Sequence, residues 1–191
     1  MSEALWNKFH ESPAVTILEE GIYDFTVERI IELSDNSILL GFNVSGKSIA
    51  QRIYFDSNEC TAARYLLASV GILKDINGTW ITNELANTVG KSGRCIVGQY
   101  QRNGMDDNFI VVYLAPWGDE NDQWWRYQVI KKAGNRCENC GEYGNVAHHL
   151  LPKSRYPNQR YNIENGQCLC HECHKRWHDT YGIMAVGGPG L

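Results

Sequence analysis

Two Cys-x-x-Cys steps, Cys137-Glu138-Asn139-Cys140 and Cys170-His171-Glu172-Cys173, separated by 29 residues, set the frame within which this 191-residue chain must fold. Two residues between thiolates let both sulfurs reach one tetrahedral ion at about 2.3 Å, and Gly141 permits the tight turn after the first pair. Four sulfurs close such a coordination sphere. Cys137, Cys140, Cys170 and Cys173 are therefore expected to hold a structural Zn²⁺ that supports the fold and leaves no open position for chemistry. The opening stretch MSEALWNKFHESP lacks the apolar centre of a signal peptide. In a chain without one, paired cysteines indicate metal rather than disulfides, and the cytoplasm is the expected location. No uncharged apolar run reaches the roughly 18 residues of a membrane span, so no membrane association is expected. Cys168, two residues from Cys170 on an extended stretch, should point away from the ion. Isolated Cys60 and Cys95 read as small buried hydrophobes.

The charge distribution splits the chain where the cysteines do. Residues 1–122 carry nine Lys/Arg against seventeen Asp/Glu, a net of -8, whereas residues 123–191 carry nine against five, a net of +4. The overall -4 excludes a generally basic nucleic-acid coat but conceals this asymmetry. Ala115 to Asn121 (APWGDEN) breaks the apolar pattern at the same place. The expected organisation is an N-terminal tail over 1–14, a β-rich domain over 15–114, a linker over 115–122, a second domain over 123–182 and a flexible glycine-rich end over 183–191.

In the acidic half, GIYDFTVERIIEL (21–33) alternates apolar and polar residues as a half-buried strand does, and Ile38, Leu40, Phe42 and Val44 resume the alternation after a Ser/Asp/Asn turn. Ser45-Gly46-Lys47 predicts a second turn before a strand over Ile49–Phe55. From about Asn58 to Val70 the period becomes helical, with Ser57 or Asn58 as cap, Cys60, Ala63, Leu67 and Val70 on one face, and Gly71 as the stop. Arg94–Tyr100 and Phe109–Leu114 predict a closing hairpin around Asn103-Gly104. Three strands, a helix and a hairpin match the layout of a five-stranded OB-type barrel. Through GIYDFTVERI, TAARYLLASVGI, VGKSGRCIVGQY and NFIVVYL, residues 15–114 also resemble a family of small phage early proteins suspected to be OB-like single-strand binders. Tyr23, Phe25, Tyr54, Tyr100 and Tyr113 are available for base stacking, and Arg29, Lys47, Arg52 and Arg94 for phosphate, although strand aromatics more often pack a core.

Five of the six histidines lie between positions 148 and 178 and are not needed by an ion already ringed with sulfur. His148-His149 sit on a predicted strand, VAHHL, where neighbours face opposite sides. Asn165 follows after fifteen residues, and His174 and His178 lie four apart, on one face of a helix expected after the second knuckle. His171 reads as solvated. A helix is also expected over Trp124–Ala133, with Trp125 and Val129 inward, ended by Gly134.

Over residues 124–180 the leading KKAGNRCENC, the paired histidines, the asparagine five residues before Cys170 and the closing Cys170-His171-Glu172-Cys173-His174 resemble the HNH (ββα-metal, His-Me finger) nucleases. The match includes their His-His, Asn, His-x-x-x-His form and the two-knuckle form common in phages. The first position, often Asp in that family, is His148 here, and the apolar residue that often follows the asparagine is Gly166. The resemblance implies that His148, His174 and His178 bind one catalytic divalent ion, Mg²⁺ or Mn²⁺ with Zn²⁺ or Ni²⁺ as alternatives, that His149 is the general base, and that Asn165 accepts the base's other N–H. Lys153, Arg155 and Arg160, on the intervening loop, are candidate phosphate contacts.

The expected fold is thus α+β, an OB-like barrel with one helix followed by a ββα-metal HNH domain with a four-cysteine zinc site. The expected function is metal-dependent endonuclease cleavage of DNA, duplex or single-stranded, in a host cytoplasm if phage-encoded. The acidic domain would serve in targeting, inhibition or docking on a protein partner. The alternative is a non-catalytic zinc-containing single-strand-binding protein of phage replication or recombination.

Overall fold

In the computed structural model, which describes residues 17–33, 37–54, 61–73, 82–116 and 118–189, the alternating segment GIYDFTVERIIEL forms strand β1 (Gly21–Leu33), burying Phe25 and Val27 while Asp24 and Glu28 stay exposed. The register shifts between Val27 and Arg29, so Glu28 is an extra residue at which the strand bends. The first half of β1 pairs with β4 (Ser92–Arg102), from Gly21 opposite Val97 to Thr26 opposite Ser92. From Phe25 onward it pairs with β2 (Ser37–Val44). Strand β3 (Lys47–Tyr54) begins two residues earlier than the sequence pattern predicts. Ser45 (φ 49°) and Gly46 (φ 83°) both lie in the left-handed region, a two-residue turn that brings Lys47 directly opposite Val44.

Helix α1 (Thr61–Ser69) buries Ala63, Leu66, Leu67 and Ala68; the predicted caps Ser57 and Asn58, and Cys60, lie outside the described residues. Gly93 lets β4 approach this helix, because a Cβ there would stand 2.8 Å from the Ser69 carbonyl and 2.9 Å from the Phe25 ring. Strand β5 (Met105–Leu114) completes a hairpin with β4 around Asn103 and Gly104. The five strands form one antiparallel sheet in the order β3-β2-β1-β4-β5, and β3 and β5, the ends of that order, also approach each other. The rings of Phe25, Phe42 and Tyr113 meet at 5.4 to 5.7 Å in the core. Cys95 is buried there as expected.

The chain divides between Gly118 and Asp119 into two compact units. In the second, helix α2 spans Glu120–Lys132, so its first turn occupies the end of the expected linker. The reason is capping. The Asp119 carboxylate accepts the backbone N–H groups of Asn121 and Asp122, Glu120 and Asp122 sit in the positive first turn, and Lys131 and Lys132 sit in the negative last turn. Trp125 and Val129 are buried as predicted, and the chain reverses through Gly134 and Asn135, both at positive φ.

Strands β6 (Val146–His149) and β7 (Gly166–Leu169) form an antiparallel pair, with His148 opposite Gln167 and His149 opposite Gly166. Helix α3 (His171–Tyr181) begins inside the second knuckle rather than after it, with Cys170 as its N-cap. Helix α2 packs on β6 and β7, and α3 approaches β6. The glycine-rich end is not free. As far as Pro189 it lies on the β6–β7 region: the Gly187 N–H donates to the Leu150 carbonyl at 2.7 Å, and Gln167 Nε2 donates to the Pro189 carbonyl at 2.8 Å. Gly188 is buried, and a Cβ on it would run into Gln167 Oε1 and Leu150. These glycines permit close packing, which composition alone does not distinguish from mobility. Among the described residues no helix is long and apolar enough to cross a membrane.

Candidate active site

The sulfurs of Cys137, Cys140, Cys170 and Cys173 all lie within 4.8 Å of one another, with Cys140 and Cys170 3.8 Å apart. Backbone bonds shape the first knuckle: the Cys137 N–H donates to the Glu142 carbonyl and the Gly141 N–H to the Cys137 carbonyl, with Gly141 at φ 79°. Glu138 fastens it to β7, its N–H donating to the Cys168 carbonyl while its carboxylate accepts the Cys168 N–H. Asn139 Nδ2 donates to Cys173 Sγ at 3.1 Å.

Burial opposes ionisation of Cys137, but backbone N–H groups of Cys170, Cys140 and Asn139 outweigh it and bring the thiol down to about 6. At Cys140 the Glu142 N–H favours the thiolate, yet the neighbouring thiols and burial push it up to about 12. Four thiols at this separation can hold a metal such as zinc. Cys168 is fully buried against Trp125 and Val129, outside the cluster, where burial first and then the Glu138 and Cys137 charges push its thiol up to about 11.

Strand alternation sends the two adjacent histidines to opposite sides. His148 turns toward α3, where its ring meets those of His174, His178 and Trp177. One ring nitrogen from each of His148, His174 and His178 lies within 4.8 Å of the others, and the Nε2 atoms of His174 and His178 are 3.1 Å apart. The Gly187 carbonyl lies 3.0 Å from His148 Nε2. A carbonyl only accepts, so Nε2 carries the hydrogen and Nδ1 keeps its lone pair. Burial, then the charge of neighbouring histidines, lowers the His148 pKa, and the same causes bring His174 down to about 4. Both shifts favour the neutral ring, the form a metal ligand requires.

His149 turns toward α2. Its ring stacks on Trp125 at 3.8 Å between centroids and 10° between planes, and its Nε2 donates to the Arg160 carbonyl at 2.8 Å. Burial lowers its pKa. Asn165, contrary to expectation, does not accept the base's N–H. Its Oδ1 accepts from the Leu151 N–H at 2.8 Å, and its Nδ2 donates to the carbonyls of Leu151 and Gln159. The buried amide pairs with the loop as a strand would, and so fixes Gln159 and the adjacent Arg160 carbonyl.

The candidate phosphate contacts are mostly committed elsewhere. Arg160 donates from Nε and Nη2 to the two oxygens of Asp122 at 2.9 and 2.7 Å and reaches Asp119 at 2.8 Å. Lys153 Nζ donates to Asp122 at 2.7 Å. Arg160 and Lys153 hold the Asp122 carboxyl down at about 2. Arg155 lies over the Tyr156 ring at 5.8 Å and is exposed. Comparison with protein-family models and with curated proteins returns no match.

Residues that the motif reading passes over prove central to the geometry: Trp125, Asp119 and Asp122 of α2 and its cap, and Gly187 of the terminal segment. The cap Asp119 followed by an acidic turn is a visible helix-start signal; nothing in the sequence marks Gly187. In the N-terminal unit, Phe25 and Tyr113 are core residues and cannot stack on bases. Lys47 is buried with its Nζ donating to Asp107 and Asn108, at 3.2 and 2.8 Å. Tyr54 is exposed, with Arg52 over its ring.

Proposed function

We propose that the second unit is an HNH (ββα-metal) endonuclease that hydrolyses DNA phosphodiester bonds, and that the first is an OB-type barrel that targets or docks it. The observation that carries the reading is the paired placement of the histidines on β6. His148 converges with His174 and His178 on one side, and His149, its pKa lowered by burial and its tautomer fixed by the Arg160 carbonyl, stands on the other. The donor chemistry fits two different ions: four thiols for a closed structural Zn²⁺, and three imidazoles with open positions for a catalytic divalent ion, Mg²⁺ or Mn²⁺, with Zn²⁺ and Ni²⁺ also compatible. A divalent ion at the imidazoles would supply Lewis-acid stabilisation of the charge developing on the departing 3′ oxygen.

The chain's own residues do the rest. His149 donates its Nε2–H to the Arg160 carbonyl, so Nδ1 is the free lone pair, and it takes the proton of the attacking water. The Arg160 carbonyl stabilises the imidazolium that results. Asn165 holds the loop bearing that carbonyl, and the Asp119–Asp122 clamp on Arg160 holds it from the other side. Attack in line with the departing 3′ oxygen leaves 5′-phosphate and 3′-hydroxyl ends.

The OB-type reading of residues 15–114 is supported by the bent β1 shared between β2 and β4, the helix between β3 and β4, and the approach of β3 to β5. Its net negative charge and buried Lys47 favour a protein partner over a nucleic-acid strand. Cleavage of an end-labelled DNA duplex with Mn²⁺ or Mg²⁺ tests the nuclease assignment. Fragments that a DNA ligase rejoins without added kinase are expected, whereas 3′-phosphate ends or intact duplex would contradict it.

A further inference from the structure

The glycine that follows Asn165, where the HNH nucleases often carry an apolar side chain, has a physical partner across the sheet. Gly166 lies opposite His149 in the β6–β7 register. A Cβ on Gly166 would run into Val129 Cγ2 and stand 3.0 Å from both Trp125 Cζ2 and Val129 Cγ1. The space a side chain would fill at 166 is occupied by Val129 and by the indole of Trp125, both from α2, and that indole lies flat on the His149 ring.

We propose that Trp125 is the positioning residue that sets the plane of His149, and that position 166 is glycine so that α2, through Val129 and the indole, can pack close enough for that stack. This role rests on the nuclease reading of the site. One hydrogen bond, from Nε2 to the Arg160 carbonyl, leaves the imidazole free to swing about that bond. A parallel indole face at 3.8 Å removes the swing. The indole is fixed in its turn: it is 2% exposed, and its Nε1–H donates to the Asn162 carbonyl at 2.9 Å. The same helix carries Asp119 and Asp122 at its start, and these grip Arg160, whose carbonyl receives the histidine. Helix α2 therefore orients the base twice, once through its ring face and once through its hydrogen-bond partner.

The experiment compares wild type, Trp125→Leu, Trp125→Phe and Gly166→Ala as full-length zinc-loaded proteins. It reads the NMR shifts of the His149 ring protons, Mn²⁺ affinity by calorimetry, and kcat and KM for plasmid nicking. In wild type the indole ring current moves the His149 ring protons upfield. Trp125→Leu and Gly166→Ala should abolish or reduce that displacement and lower kcat on the order of tenfold to a hundredfold, with KM and Mn²⁺ affinity unchanged. Trp125→Phe, which keeps a ring face, should recover most of kcat and part of the displacement. Unperturbed His149 resonances in wild type, or a Gly166→Ala or Trp125→Leu protein that nicks as fast as an active wild type, would overturn the proposal. A wild type that shows the upfield shift but cleaves nothing overturns the nuclease reading instead, and the positioning role with it.

Discussion

His149 accepts a proton only while neutral, and burial places its pKa below the ordinary value of about 6.5. Nicking should therefore be flat from about pH 7 to 8 and fall only as the pH drops through that lowered pKa, checked by a pH–rate profile at saturating Mn²⁺. His149→Ala should reduce kcat about 10²- to 10⁴-fold without loss of metal binding, measured by calorimetry and plasmid nicking together. Asp122 titrates in the opposite sense to a raised base. Its pKa is depressed to about 2, so its bonds to Arg160 and Lys153 contribute stability that is complete above the unfolded carboxyl value of about 4 and is lost as pH falls toward 2. Asp122→Asn should lower the urea midpoint at neutral pH and flatten its dependence on pH between about 4 and 2. The convergence of His148 with His174 and His178 follows the spacing of the histidines, whereas the pairing of Asn165 with His149 was implied only by the nuclease resemblance. The bond expected between Asn165 and His149 does not form, because a backbone carbonyl that no spacing reveals lies nearer the ring. Asn165 spends its amide on Leu151 and Gln159, and the Arg160 carbonyl takes the place assigned to it.

Among the elements, strand alternation was the most readable signal: β1 occupies the predicted segment, and the Asn103-Gly104 turn joins β4 to β5 as expected. Helix ends were readable only where cap chemistry was weighed. Asp119 with Glu120 and Asp122 announces a helix start, yet the same acidic, Pro- and Gly-flanked stretch also has linker composition, and the longer helix won because the cap is satisfied. The glycine-rich end carried no such signal. Its packing depends on the positive φ of Gly187 and the absence of a side chain at 188, features that look identical in a disordered tail. Gly188→Leu should lower stability by about 1–3 kcal/mol through overpacking against Gln167 and Leu150, followed by thermal unfolding. It should also weaken Mn²⁺ binding, because it displaces the Gly187 carbonyl from His148.

For the whole molecule, the decisive quantity is the difference between the halves rather than the net -4. The positive half carries both metal-donor clusters, whereas the negative half is built around an apolar core with the rings of Phe25, Phe42 and Tyr113 inside. The small second unit has only a few buried apolar side chains of its own, Trp125, Val129 and Leu169 among them. A metal held by its four thiols would therefore supply much of its stability. Removing zinc with a strong chelator should unfold residues 119–189 while leaving the β-sheet of the first unit intact, seen as loss of amide NMR dispersion confined to the second unit. Metal-dependent cleavage by the β6 histidines stands or falls on a titration of Mg²⁺, Mn²⁺, Ni²⁺ and Zn²⁺ against supercoiled plasmid with wild type, His149→Ala and His148→Ala. Wild type is expected to convert the plasmid to open-circular or linear DNA with at least one of these ions and not without them, and both variants are expected to lose this activity. Supercoiled plasmid left intact by wild type under every ion, or cut equally by His149→Ala, would contradict that role for the histidines.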